Sequence, residues 1–351
     1  VALKRINVGI IGCGVIGPTH AESFQQLPNV ELAWACDIDG AKAEVFAERY
    51  GVPNVSTDYN DLLNDASLDC VSVCTDHASH VPIVIAALEH GKHVLCEKAL
   101  VANREGLNAM LAAHAAHPDV MFGAVSQHRF DAVNRLLKRY LDEGLLGTLL
   151  TASVQVRCLR TNAYYASDAW RGTWDKEGGS VLINQAIHFI DSLLWITGGV
   201  TKLCGVHRNL THHGVIETED TAVASLCFRN GALGTIEATS SSNLSWDHTL
   251  AFCGDAGTIE IRGDKPLRIA FTDKDVEKRV ETELLEARDN PGVDAGKSYY
   301  GTGHTGQVAD FVQAIREGRQ PFVSAVDVQH TVDVVLGIYE SEKQGGWVNV
   351  G

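Results

Sequence analysis

"INVGIIGCGVIGPTHAESF", residues 6–24, is a short apolar run that breaks into three spaced glycines and continues into a helix-forming stretch. Gly12, Gly14 and Gly17 have the spacing of a dinucleotide-binding turn. That spacing is informative only when a strand precedes it, a helix follows and an acidic residue stands about twenty positions on. All three conditions are met: "INVGIIG" supplies the strand, "PTHAESFQQL" the helix, and Asp37 closes the next apolar run, "ELAWACD". Gly12 makes the tight turn, Gly14 lets the backbone approach a pyrophosphate, and Gly17 lets helix pack on strand. The backbone around Val15 and Ile16 then opens a helix whose free N–H groups face the anion. Glycines serving only a turn are the weaker alternative once these neighbours are counted. The Asp37 carboxylate suits ribose hydroxyls and would repel a 2′-phosphate, and no Arg follows it, so NAD is expected over NADP.

The same alternation runs outward from this turn. Apolar runs at 31–38, 69–75, 93–96 and 119–125 alternate with helix patterns at 18–27, 40–50, 80–90 and 103–117. Near-continuous apolar strands separated by helices predict a parallel, doubly wound sheet. After about residue 124 the pattern changes. A helix at 132–143 and a strand at 149–157 lead into an irregular aromatic segment, then a helix at 181–197. Strands near 201–208, 220–228, 232–240, 249–254 and 258–262 alternate polar and apolar residues, with "RNGA" (229–232) as a hairpin turn. The expected organisation is a dinucleotide-binding domain, 1–124, and a second α/β domain, 125–351, with a large, mostly antiparallel open sheet. The closing helices are expected at 304–317 and 326–341, the C-terminal one available to pack back on the first domain.

Composition narrows the function. A net charge of −15 over 351 residues argues against a phosphate-backbone binder, and no apolar run is long enough to span a bilayer. The chain shows no leader pattern, and its nine scattered cysteines suit a reducing compartment, so a cytoplasmic location is expected. No CxxC occurs and no metal is expected. A broad sheet face with no helix pattern to cover it predicts a homodimer or homotetramer.

Ligands of open parallel sheets bind beyond the C-terminal strand ends. There "VSVCTDHASH" places Thr75, His77 and His80, and "HVLCEKAL" places Glu97 and Lys98. Lys98 could stabilise a developing alkoxide, or be a solvated loop lysine. On the 181–197 helix, Asn184, His188 and Asp191 form a polar seam beside the apolar Ile183, Ile187, Ile190 and Leu194. A solvated face is the simpler reading of that seam, although an imidazole is well matched to accepting a hydroxyl proton.

Together, "GIIGCGVIGPTHAESF", "GKHVLCEKA", "WRGTW…GGSVLINQAIHFIDSLLW" and "GHTGQVADFVQAIREGRQP" resemble the Gfo/Idh/MocA oxidoreductases, the glucose–fructose oxidoreductase and inositol dehydrogenase family. The resemblance covers nearly the whole chain. It implies NAD-linked hydride transfer at a secondary alcohol of a sugar, cyclitol or sugar derivative. It makes Lys98 the lysine at the reacting hydroxyl and His188 the acid/base, with Asn184 beside it. Glu97, Thr75 and His77 would border the cofactor, with His80, Gln127, Trp170 and Arg171 completing that set. Arg160, Tyr164, Tyr165 and His304 would line the substrate pocket. Three residues depart from the family pattern: Ala99 and Asp76 stand where Pro is common, and Asn184 where Asp is frequent. An amide cannot accept the substrate proton, so that task falls to His188. Two alternatives stay open. One is a nucleotide-sugar 3-dehydrogenase, with Arg157, Arg160 and Arg208 as a diphosphate patch. The other is a redox-silent NAD-binding sensor.

Overall fold

The computed structural model describes residues 4–289 and 303–351. The chain divides into two compact units, 1–127 with 293–329, and 128–292 with 330–351. The sequence pattern places the boundary near 124 and leaves the C-terminal helix, 326–341, free to pack back on the first domain; the described stretch that joins the first unit is 303–329.

The first unit runs β1 (Ile6–Ile11), α1 (Gly17–Gln25), β2 (Val30–Cys36), α2 (Gly40–Tyr50), β3 (Asn54–Ser56), α3 (Tyr59–Leu63), β4 (Cys70–Val73), α4 (His77–Glu89), β5 (His93–Cys96), α5 (Arg104–Ala116) and β6 (Phe122–Ala124). Its six strands lie in the order β3-β2-β1-β4-β5-β6, with parallel pairing throughout. This is the doubly wound order in which the chain reverses between β1 and β4, the place where such sheets bind ligands. Ile6, Val8 and Ile10 are wholly buried, as strands covered on both faces require. Helix starts follow capping chemistry: Asp39 caps α2, Asp76 caps α4 and Asn103 caps α5 through side-chain oxygens on backbone amides. Asp76 thereby does at α4 what the more common Pro cannot, since its carboxylate accepts from both the Ser79 amide and hydroxyl.

The second unit begins with a 3₁₀ turn, Gln127–Phe130, whose first residue still belongs to the first unit. It continues with α6 (Ala132–Asp142), β7 (Leu149–Leu159), α7 (Asn162–Ala166), a π-helical turn (Val181–Ala186), α8 (Ile187–Thr197), β8 (Val200–Arg208), β9 (Thr221–Phe228), β10 (Leu233–Thr239), β11 (Ser241–Gly254), β12 (Gly257–Arg262), β13 (Lys265–Phe271) and α9 (Lys274–Asp289). Next come α10 (Gly303–Glu317), α11 (Ala325–Gln344) and β14 (Val348–Asn349). Of these, α10 belongs to the first unit, where Val308, Phe311 and Val312 join the core formed by Ile6, Phe24 and Leu95.

The second sheet has eight strands, β13-β12-β11-β7-β10-β9-β8-β14, antiparallel except for the β7–β10 pair. Alternation sorts its faces. Ala152, Val154, Val156 and Cys158 of β7 point inward and α8 packs on that strand, while intervening residues are partly or fully exposed. The helix expected over 181–197 is two structures, one π turn and then α8. No disulfide joins any of the nine cysteines. No helix among the described residues is long and apolar enough to cross a membrane.

Candidate active site

In the first unit the glycine turn has the form its spacing predicts. Gly12 has φ +97°, and a Cβ there would lie 2.5 Å from the Cys74 carbonyl oxygen, so only glycine fits. A Cβ at Gly17 would sit 2.6 Å from the Gly12 oxygen. At Gly14 the space is open, and Val15 is exposed beside it. Ile16 precedes α1 with no side chain able to cap it, which leaves the helix N-terminus to an anion. Asp37, half-exposed at the end of β2, accepts from the Cys13 amide through Oδ2 (2.9 Å) and from the Asp39 amide through Oδ1 (2.9 Å). An open cradle over Gly14, an uncapped helix and an oriented carboxylate fit the pyrophosphate and ribose of a dinucleotide.

The ends of β4 and β5 are tied by buried polar groups. His80 is wholly buried, its Nδ1 2.9 Å from the Ala99 oxygen and its Nε2 3.2 Å from the Thr75 oxygen. Burial lowers its pKa, so the neutral ring donates one proton, best to the nearer Ala99 carbonyl. The resemblance gives His80 to the cofactor. Its ring is buried between the Ala99 and Thr75 carbonyls, and the one proton it donates ties α4 to the loop that carries Lys98. His77 is also buried. The Lys98–Ala99 peptide bond is cis. Lys98 itself is half-exposed between two buried neighbours, Glu97 and Ala99.

Glu97 is buried beneath this loop. Its Oε1 is 2.7 Å from His20 Nε2 and its Oε2 accepts from the Lys98 amide at 2.9 Å. His20 continues to the Ser72 hydroxyl (2.8 Å), and His304 Nε2 lies 3.9 Å from Glu97 Oε1. Burial would push the Glu97 carboxyl up, but the His20 hydrogen bond and the charges of His20, His304 and Lys98 outweigh it and hold it at about 2. Glu97 is therefore a fixed anion that anchors the Lys98 backbone. His304, expected in the substrate pocket, is buried in this network. His20, Glu97 and His304 are the one group among the described residues with metal-ligand proximity. Hydrogen bonds already join His20 to Glu97 and Glu97 to the Lys98 amide, so the cluster reads as a proton-bonded network. Gln127 is buried at the edge of the same unit.

In the second unit the polar seam on the site helix is buried, not solvated. Asn184 is 8% exposed and Asp191 2%. Each is held by partners, as burial demands. Asn184 donates through Nδ2 to Glu177 Oε1, and Glu177 Oε2 accepts from the Gly172 amide. Asp191 takes a two-pronged ion pair from Arg129 (2.8 and 2.6 Å) and a hydrogen bond from Thr331 (2.8 Å). His188, between them in sequence, stays partly exposed. The π turn that carries Asn184 is fixed at its start by Glu219, whose carboxylate accepts from the Ser180 and Leu182 amides and from the Tyr339 hydroxyl.

The aromatic segment folds around Tyr164. Arg171 donates to its hydroxyl at 2.6 Å and lies over its ring and that of Trp170, while Arg160 lies over Tyr164 and Trp246. Tyr165 departs from its expected pocket role. It is buried, its hydroxyl between those of Ser180 and Ser240 at 2.9 Å each, and it packs the segment onto the sheet. Of the three arginines offered as a diphosphate patch, Arg157 is paired with Glu237 and Arg208 with Glu342. Glu177, His128 and the Arg129–Asp191 pair went unread in the sequence. "WDKEGG" and "SQHRFD" hold those residues without any periodicity to mark them.

Over residues 6–124 the chain matches the oxidoreductase family with an NAD-binding Rossmann fold, and over 138–350 that family's C-terminal α/β domain. It is 26% identical to the levoglucosan dehydrogenase of Pseudarthrobacter phenanthrenivorans, with 99% of each chain covered. It is 24% identical to the myo-inositol 2-dehydrogenase of Thermotoga maritima, with 92% of each covered. The WlbA dehydrogenase of Bordetella pertussis, solved with NADH and UDP-GlcNAcA, superposes with a TM-score of 0.90 at 24% identity over 100% of this chain and 99% of that one, a likeness of fold. With both of its parts matched in order and the glycine turn intact, the chain belongs to the Gfo/Idh/MocA oxidoreductases and is an NAD-binding member of that family.

Proposed function

We propose that the chain oxidises, or in reverse forms, a secondary hydroxyl of a sugar, cyclitol or sugar derivative, with Lys98 and His188 at the reacting hydroxyl. The observation that carries this reading is the pair of supporting networks. Buried Glu97 fixes the backbone of one residue, and the Arg129–Asp191 ion pair fixes the helix of the other. Bound NAD supplies the hydride acceptor. His188 accepts the hydroxyl proton, the Lys98 ammonium stabilises the charge developing on oxygen, and Asn184 orients the substrate through its amide. Its Nδ2 donates to Glu177, which holds the amide plane in one orientation. The relatives named for levoglucosan and myo-inositol support a substrate of this class.

Arg160 favours a second reading, a nucleotide-sugar 3-dehydrogenase. It stacks on Tyr164 and Trp246 and has no carboxylate ion pair among the described residues. A UDP-sugar bound to the WlbA fold is consistent with that reading. Retention of both Lys98 and His188 speaks against a redox-silent sensor. A panel of free sugars, cyclitols, glycosides and nucleotide sugars, read by NADH absorbance, tests all three. Turnover on the first three groups alone supports the main reading, turnover confined to nucleotide sugars the second, and none on any member the sensor. Lys98→Ala and His188→Ala should each lower kcat by at least about a hundredfold with NADH affinity within about threefold. Near-normal kcat in either variant removes that residue from its role.

A further inference from the structure

His128 lies in the 3₁₀ turn before α6, and its ring stands edge-on to that of His188, centroids 5.4 Å apart and planes at 83°. Its Nδ1 is 2.5 Å from Asp131 Oδ2, its carbonyl accepts from Asn134 Nδ2 at 2.9 Å, and Phe189 packs beside it at 5.0 Å. It is buried. The imidazole therefore has one fixed orientation, set by a carboxylate on the ring nitrogen it holds.

We propose that His128 is a positioning residue for His188: paired with Asp131, it carries a positive charge beside the His188 ring and so keeps that ring in its proton-accepting form. The proposal rests on His188 being the proton acceptor. A second imidazolium against the first is disfavoured by like-charge repulsion. The titratable groups around His128 come from four places in the chain. Asp131 stands between that turn and α6, and Asp191 approaches from α8. Asp264 approaches from the β12–β13 turn, and the neutral partner His248 from β11. Arg129, next in the chain, is taken by Asp191. Burial alone would push the His128 pKa down, but Asp131, with Asp264 and Asp191 behind it, raises it above the ordinary histidine value. His248 stacks on Phe189 at 3.7 Å. Burial, with the His128 charge added, brings His248 down to about 3.

The test is side-chain NMR titration of His188 in the wild-type protein, in His128→Gln and in His128→Phe, the last keeping a ring without a charge. A unit charge at this separation moves a neighbouring pKa by roughly one unit. The His188 pKa is expected to rise by about that amount in both variants. The acid limb of kcat/KM should move with it, and turnover should recover to within about twofold of wild type at higher pH. A role in packing alone would lower turnover at every pH and leave the limb in place, which overturns the proposal. So does an unmoved or lowered His188 pKa in either variant. If neither variant folds, wild type decides by itself: His128 losing its proton at a lower pH than His188 overturns the idea, and at a higher pH supports it. Should His188→Ala keep near-normal kcat, the base assignment fails, while the titration still reports whether the two rings are coupled.

Discussion

Asp37 holds two backbone amides with one carboxylate, and that makes its nucleotide role an issue of orientation as much as charge. Its Oδ1 and Oδ2 are each aimed by an N–H group from the chain around it, one in the glycine turn and one at the start of α2. Each oxygen keeps a further lone pair for a ribose hydroxyl. Replacement by Asn keeps an acceptor for one amide and removes the charge. Asp37→Asn should weaken NADH binding by about tenfold, the worth of a charge-assisted hydrogen bond, and weaken NADPH far less. Fluorescence titration with both nucleotides measures the ratio. A variant that binds NADH as wild type does, with the NADH-to-NADPH ratio unchanged, would remove Asp37 from cofactor choice.

The element that decides the second unit is the π turn followed by α8, and its start hangs on Glu219. That carboxyl is wholly buried, and burial outweighs its three hydrogen bonds to raise its pKa from 4.5 to about 7. A group that holds its proton more tightly when folded adds stability below its unfolded pKa. That contribution is lost as the pH rises through the folded value, from about 4.5 to about 7. The loss is of order 3 kcal/mol. Glu219→Gln, neutral at every pH, should gain in Tm relative to wild type by several degrees across that window. A difference between the two proteins that stays flat from acid to neutral pH would show that Glu219 does not titrate there. The same element shows where sequence reading stops. Apolar periodicity finds 181–197 as a helix, yet no periodicity announces that Glu219, in the segment before β9, will hold its first turn. Asn184 and Asp191 read as a solvated seam because their partners, Glu177 and Arg129, lie outside the helix. Capped elements with strong patterns, such as α2 over 40–50, are legible to the residue. Helix α9 is missed because only Val280 and Leu284 of its residues are buried, too thin a stripe among charges. Strands β3 and β14 are missed because they are very short.

At the scale of the molecule, one face of the second unit's sheet is exposed among the described residues. Register brings Val206 beside Val223, Val223 beside Glu237, and Glu237 beside Gln155, a row crossing four strands. Val206, Val223 and Leu233 are 47%, 46% and 59% exposed on strands whose alternate residues are buried. Small, hydroxyl and apolar residues fill the neighbouring rows, among them Cys204, Ser225, Thr235 and Ala251. A face of that composition gains by being covered, at about 25 cal/mol for each square ångström of apolar surface removed from water. Self-association satisfies this symmetrically, because a two-fold axis lets one patch cover its own copy. Light scattering on the eluting protein should therefore give the mass of a dimer or tetramer. Val223→Lys places a charge in the middle of the row without touching the buried face, so it should shift the mass toward the monomer while circular dichroism and NADH binding persist. A wild-type monomer at tens of micromolar, or an oligomer indifferent to that lysine, would mean that the open face is covered by something other than a second copy.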